Sequence, residues 1–470
     1  MGIDFLILMK QEWTVILILF ILLFIKVGSR EWENDKLLSL INILLLANFI
    51  LGFFWNRDGI LFNEMYRTNP LIVSEKNILN LGTYIIALQS HAWLKNHKHV
   101  LEFYMLLLST LTGMFFMISA GNLLMFYLGL ELSSIPLAAM ANFDLEKRKS
   151  SEAALKFIIS SAFSSGLLLF GISLVYGLTG TLTFSELSLY LAYTPLLIFA
   201  FILLVAGFAF KISAVPFHLW TADVYEGAPV TVTSYLSVIS KGSVIFVFAT
   251  ALYTVFKPLA VTWYNILVVV SLLTMIIGNL FAIRQHNLKR FLAFSSIAQV
   301  GFILIGITGA SRTGTASVVY FVLIYTFSNL GAFGVIGLVS ALTGKENIED
   351  YKGFYKTNPL LSWVLTISLF SLAGIPPTAG FFGKFFLLMA GAAQKNYLLI
   401  TIAALNMVVS LYYYLKVVKA VFMDSNETPI GKLPIPLSPK LSLYICMTGI
   451  VLTGLMSYVY DYIYSLSTGF

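Results

Sequence analysis

Five lysines and one glutamate stand inside long apolar runs, where lipid or packed protein rather than water should surround them. Glu131 lies in FYLGLELSSIPLAAM, Lys211 in LVAGFAFKISAVPFHLW, Lys241 in TSYLSVISKGSVIFVF and Lys384 in SLAGIPPTAGFFGKFFLL. Lys156 and Lys416 fall nearer the ends of their runs. A charged side chain at mid-bilayer costs roughly 2.5–3.5 kcal/mol on insertion scales. One that is kept there must be offset by a partner, by water or by giving up its charge. A group on that balance can take and release a proton, so these residue types suggest a proton relay. The competing reading is snorkelling, in which a lysine near a helix end reaches the headgroups. It suits Lys416, which has Lys419 beside it, and leaves Lys156 open between the two readings. Lys211, Lys241 and Lys384 lie too deep for it to be the better account.

Other candidates are less decided. His218 lies two residues beyond Pro216, and it suits either a relay, since imidazole titrates near neutrality, or an interfacial position beside Trp220. Asp223 and Glu226, in WTADVYEGAPV, read better as loop caps than as a proton inlet. The single cysteine, Cys446, can neither close a disulfide nor supply the ligands of an iron–sulfur cluster or structural zinc. The histidines show no metal-ligand spacing. No cofactor is therefore expected on this chain, and any redox chemistry belongs to a partner.

These residues need spans to hold them. Of 470 residues, 59% are hydrophobic and only 11% charged. A soluble domain carries about a quarter charged residues, so lipid must be the main solvent. Runs of about 20 apolar residues place fourteen helices near 11–27, 37–55, 78–94, 100–119, 122–142, 153–177, 195–219, 230–256, 259–283, 291–309, 315–342, 359–391, 398–423 and 441–464. The third is the weakest, interrupted by Gln89 and His91. The first lacks a small-residue cleavage site and reads as a retained span.

Alternate connections differ in basic residues. One set, including Lys26, Arg30, Lys147, Lys289 and Lys345, holds seventeen; the other, Lys10, Arg57, Arg67, Lys76, Lys257, Arg312 and Lys395, holds seven. The richer set should face the cytoplasm, which puts both termini on the periplasmic side of a bacterial inner membrane and accounts for the net charge of +7 as topology. Pro216 follows Lys211 by five residues, and Pro376 and Pro377 precede Lys384 by eight and seven. Proline interrupts a helix, and broken backbone at membrane depth survives only against protein or a hydrated cavity. Two such breaks, each beside a buried lysine, match the inverted-repeat plan of transporters.

The order of LGLELSSIPLAAM, AALKFIISSAFSSG, FKISAVPFHLWTADVYEGAPVTVTSYLSVISKG, NLKRFLAFSSIAQVGFILIG and SLAGIPPTAGFFGKF resembles subunit N of the proton-translocating NADH–quinone oxidoreductase, respiratory complex I. The match runs from about 120 to 420. It is closer to that subunit than to its L and M relatives or to Mrp-type cation/proton antiporters. The resemblance implies an all-α membrane protein with two inverted five-helix repeats, each with one discontinuous helix. On that plan residues 1–99 form three leading helices, 100–256 and 257–423 the two repeats, and 424–470 the last helix. It also implies a relay of Glu131, Lys156, Lys211, Lys241 and Lys384, with His218 at a matching position. Partner subunits would carry FMN, iron–sulfur clusters and the quinone acceptor. In that scheme Glu131 lies near Lys211 or Lys156, and a proton leaves toward Lys241 and then Lys384. An antiporter without redox coupling and a structural anchor are the competing functions.

Overall fold

The computed structural model describes residues 2–28 and 32–467, so Arg30 of the basic set lies outside the described residues. Twelve of its helices are long and apolar enough to cross a membrane. In chain order the main elements begin with α1 Lys10–Val27, α2 Asn34–Leu51, α3 Pro70–Leu94, α4 Val100–Ile118, α5 Leu123–Ala141, α6 Arg148–Thr179, α7 Pro195–Ile212 and α8 Leu219–Gly227. There follow α9 Val230–Thr254, α10 Lys257–Ile283, α11 Leu288–Thr308, α12 Arg312–Thr343, α13 Pro359–Ala373, α14 Ala379–Ala392, α15 Tyr397–Phe422 and α16 Leu437–Leu455. α8, nine residues long, is too short to cross a membrane and adds none. To the twelve are added α1, which carries Lys10, Glu12 and Lys26, and the α13/α14 pair, two half-length helices that cross together. The total is the expected fourteen. A short hairpin, β1 Gly59–Leu61 against β2 Tyr66–Thr68, closes the connection before α3 and was not anticipated.

Local chemistry sets the ends. Asn69 accepts from the Ile72 amide and Pro70 opens the first turn of α3, a capped start with proline where its missing N–H costs nothing. Asn122 caps α5 and Thr194, followed by Pro195, caps α7 in the same way. The third span is expected from 78, whereas the helix starts at Pro70 and takes in Glu75, Lys76 and Asn77, all three buried, so Lys76 is no loop residue.

α11 is buried along its whole length, and α3, α9 and α12 nearly so; α2, α6, α10, α15 and α16 form a more exposed outer ring. The core helices thus carry Lys241, with α11 beside it. The helices are interrupted at both proline sites, Pro216 and Pro376–Pro377, as expected. α7 stops at Ile212, with Ser213 left-handed at φ 63°, and the chain resumes at α8. α13 stops at Ala373, with Gly374 at φ 88°, and resumes at α14. Glycine bears that conformation without the strain a Cβ would bring. A third irregularity, a π-turn at Leu236–Ser240 within α9, comes immediately before Lys241.

Candidate functional site

Lys384 sits on the first turns of α14, completely buried, and donates to the carbonyls of Leu372 at 2.7 Å and Ala373 at 3.1 Å. Those oxygens are freed because α13 ends there; a helix leaves its last carbonyls without partners, and its C-terminal end attracts cations. The break therefore makes the lysine's cage. Phe302 covers the ammonium, its ring centre 4.8 Å away. Gln299 of α11 donates to the same Leu372 carbonyl at 3.0 Å and to the Tyr414 hydroxyl at 3.1 Å.

Lys241, 2% exposed, donates to Ser296 of α11 at 2.8 Å and lies 5.3 Å from the centre of the Tyr225 ring. Gln299 lines the same cavity of about 10 Å³ as Lys241, Ser296 and Tyr325. One glutamine thus borders the Lys241 chamber and shares an acceptor with Lys384, giving the two lysines a polar connection through α11.

Lys211 is buried on the last turn of α7. It donates to Ser134 of α5 and Ser161 of α6, both at 2.7 Å. Glu131 lies one turn before Ser134 on α5 and acts on Lys211 electrostatically without a direct ion pair. Its Oε1 is buried with no hydrogen-bond partner among the described residues. Serine hydroxyls rather than a carboxylate hold the Lys211 ammonium. No hydrogen bond among the described residues joins Lys211 to Lys241. His218 lies in the α7/α8 break, buried, with its Nδ1 unpartnered.

Lys156 stands apart from this series. It is 43% exposed and pairs with Glu152 at 2.8 Å and Asp223 at 2.7 Å. Arg290 binds Asp223 at 2.7 Å and Glu226 at 3.0 Å. Asp223 and Glu226, read from the sequence as caps of a solvated loop, thus hold an ionic network of three helices, α6, α8 and α11, instead. The loop reading missed this because Arg290 is 67 residues away. Lys416 is exposed, as an anchor would be.

Beside that network opens a cavity of about 400 Å³, lined by Asp144, Lys147, Glu226, Ser234, Lys289 and Glu346 among others. Lys289 pairs with Glu346 across it at 3.1 Å. From Ser234 one turn along α9 leads to Ser237, hydrogen-bonded to the Tyr325 hydroxyl at 3.1 Å; Asn329 donates to that hydroxyl at 2.6 Å. Tyr325 borders the Lys241 chamber. Hydroxyls both give and take hydrogen bonds, so this row can pass a proton between the wide cavity and Lys241. Sequence reasoning missed Ser134, Ser161, Ser296, Gln299 and Tyr325. The available signal was the polar side of α11, with Ser296 and Gln299 three residues apart in an apolar run.

The family model described as NADH:quinone oxidoreductase/Mrp antiporter, TM, matches residues 120–410. NADH-quinone oxidoreductase subunit N of Phocaeicola vulgatus is 48% identical over 453 residues, 95% of each chain. Its counterpart in Azobacteroides pseudotrichonymphae is 45% identical over 469 residues, 98% of this chain and 97% of that one. Among solved structures, a chain of Thermus thermophilus respiratory complex I with bound aureothin aligns with a TM-score of 0.77 at 26% identity over 96% of both. A chain of the Mrp complex from a Dietzia species aligns with a TM-score of 0.88 at 19% identity, over 99% of this chain and 97% of that one, a likeness of fold alone. With near-half identity along almost its whole length, this multi-pass membrane chain belongs to the family of NADH-quinone oxidoreductase subunit N.

Proposed function

We propose that the chain is the proton-translocating subunit N of an NADH–quinone oxidoreductase, and that the reaction in its partners drives protons along Glu131, Lys211, Lys241 and Lys384. The observation that carries this reading is the chain of cages: three buried lysines, each held by neutral hydroxyls or carbonyls, with Gln299 bordering the chamber of one and sharing an acceptor with the next. Neutral cages let a lysine change protonation state without leaving an opposite charge stranded. The wide cavity is the inlet, and Ser237 and Tyr325 lead from it to Lys241. Lys156 works at that inlet by holding Asp223, and His218 serves the stretch between Lys211 and the break. The basic set of connections lies on the cytoplasmic side in this scheme, with both termini opposite. The boundaries at 99, 256 and 423 separate the leading helices, the two repeats and the last helix. The chain itself carries no redox centre; FMN, the iron–sulfur clusters and the quinone site belong to other subunits of the hetero-oligomer.

Glu131 works at a distance. At about 4 Å and an effective dielectric of 20, unit charges interact by about 4 kcal/mol; one intervening serine weakens the coupling and keeps it adjustable. The Mrp-type antiporter has the same fold, and its Dietzia chain superposes better than the Thermus one. The 48% identity to subunit N, against 19% to the Mrp chain, favours the redox-coupled reading. The test is Glu131→Gln and Lys211→Met in the assembled enzyme, in membrane vesicles. Pumping should fall at least tenfold with the complex intact. Unchanged pumping and quinone reduction in either variant would reject the relay, and copurification with antiporter subunits lacking flavin would reject the redox link.

A further inference from the structure

The sequence places Arg67 and Lys76 in connections, yet the structure buries Lys76 to 1% exposure and pairs it with Glu12, equally buried. Tyr66 joins them: its hydroxyl accepts from Lys76 at 3.1 Å and donates to Glu12 at 3.1 Å. Lys10, two residues before Glu12 on α1, donates to Asn56 at 2.7 Å and to the Phe54 carbonyl. The cluster therefore leads from the packed interior to the connection between α2 and β1.

Glu75, next to Lys76, is different. It is 3% exposed, yet it accepts no hydrogen bond and sits in no ion pair within 4 Å among the described residues. Arg67 and Lys76 are its charged neighbours at longer range. It lines a cavity of about 10 Å³ with Phe246, Thr250 and Tyr253 of α9 and Thr315 of α12. A buried carboxylate without direct partners is costly; one that served only to hold helices would be paired, as Glu12 is. Its place on α3 is informative. Leu79, one turn further along, packs against Gly242 of α9, beside Lys241. α3 and α9 run antiparallel there, since Gly82 packs against Ile239, so Glu75 is about one and a half helical turns, ~7.5 Å along the axis, from the level of Lys241. It lies on the side away from the wide cavity.

We propose that Glu75 accepts the proton that leaves Lys241 and hands it outward past the Tyr66–Glu12–Lys76 cluster and Lys10. The cavity has room for about one water and lies on the side of Glu75 away from Lys241, beside Phe246, Thr250 and Tyr253, where a water can take the proton onward from the carboxyl. In the step the lysine ammonium loses one proton, the Glu75 carboxylate gains it, and the O–H bond breaks again as the proton moves on. The inference rests on Lys241 belonging to the relay and adds an outlet branch that passes through the leading helices.

The experiment uses the whole complex in inverted membrane vesicles, with Glu75→Gln, Glu75→Asp and Lys241→Met measured together. Glu75→Gln should lower pumping per electron at least fivefold with normal amounts of assembled complex, and Glu75→Asp should recover part of it. Turnover-induced infrared difference spectra of the unaltered complex should show a carboxylic-acid carbonyl band that Glu75→Gln removes and Glu75→Asp shifts. Normal pumping in Glu75→Gln beside a defective Lys241→Met overturns the Glu75 assignment alone. Normal pumping in Lys241→Met overturns the relay beneath it. If Glu75→Gln fails to assemble, Glu75→Asp decides. Lower pumping with a shifted band supports the outlet, and unchanged pumping with an unshifted band rejects it.

Discussion

The two broken helices solve one problem in opposite ways. At the α13/α14 break the lysine comes after the gap and caps the carbonyls the gap releases, Leu372 and Ala373. At the α7/α8 break Lys211 comes before the gap, and the Phe210 carbonyl accepts from the Ser213 amide at 3.0 Å and from the indole of Trp220 at 3.1 Å. Lys211 is left to Ser134 and Ser161. Carbonyls only accept, whereas hydroxyls can turn and donate. The hydroxyl cage of Lys211 can rearrange around a lysine that gains or loses a proton; the carbonyl cage of Lys384 is rigid and tied to the helix break itself. A pump needs both kinds of group, one that responds to an approaching charge and one that waits at a fixed place.

The comparison can be sharpened by substitution. The largest effect is expected for Lys384→Met, which orphans the Ala373 carbonyl and should cut vesicle pumping more than tenfold. Lys384→Arg keeps a cap for the carbonyls but cannot deprotonate, so the complex should assemble normally and still fail to pump. Pumping by the arginine variant would break the distinction between capping and proton transfer. Next comes the double change Ser134→Ala with Ser161→Ala, which strands a buried donor at a cost of about 1–3 kcal/mol per lost partner. Pumping should fall five- to tenfold, and threonine at both positions should restore most of it. Trp220→Phe removes the indole donor and leaves the Phe210 carbonyl to the Ser213 amide alone; a loss of about threefold is expected, or ~0.65 kcal/mol, within the range for one hydrogen bond. Lys156→Met should do least, about twofold, because partly exposed pairs are worth ~0.2–1 kcal/mol. An effect of Lys156→Met equal to that of Lys384→Met would move Lys156 from the inlet into the buried series.

Much of this was legible because charge inside an apolar run is conspicuous. Glu131, Lys211, Lys241 and Lys384, the fourteen crossings and the two proline breaks all follow from that contrast. The cages did not. Serines and glutamines are ordinary in membrane helices, so Ser134, Ser161, Ser296 and Gln299 gain meaning only when the lysine they face is known. Pairings over long chain distances were equally hidden. Glu12 lies 64 residues from Lys76 and Asp223 lies 67 from Lys156, and no local pattern links them. The start of α3 was misread for a related reason. A hydropathy window treats Glu75 and Lys76 as evidence for water, although their setting is protein.

The π-turn before Lys241 carries a consequence for register. A π-turn accommodates one residue more than the α-helical repeat, and it is found mostly as a single-turn bulge at functional sites. Each residue of an α-helix advances the side chains by about 100°. Deleting one residue between Leu236 and Ser240 would let α9 relax to a regular helix, and would swing one half of it relative to the other by that angle. Either Lys241 would leave Ser296, or Ser234 and Ser237 would leave the cavity side. The bulge is thus the joint that lets a single helix serve two compass bearings, inlet and relay.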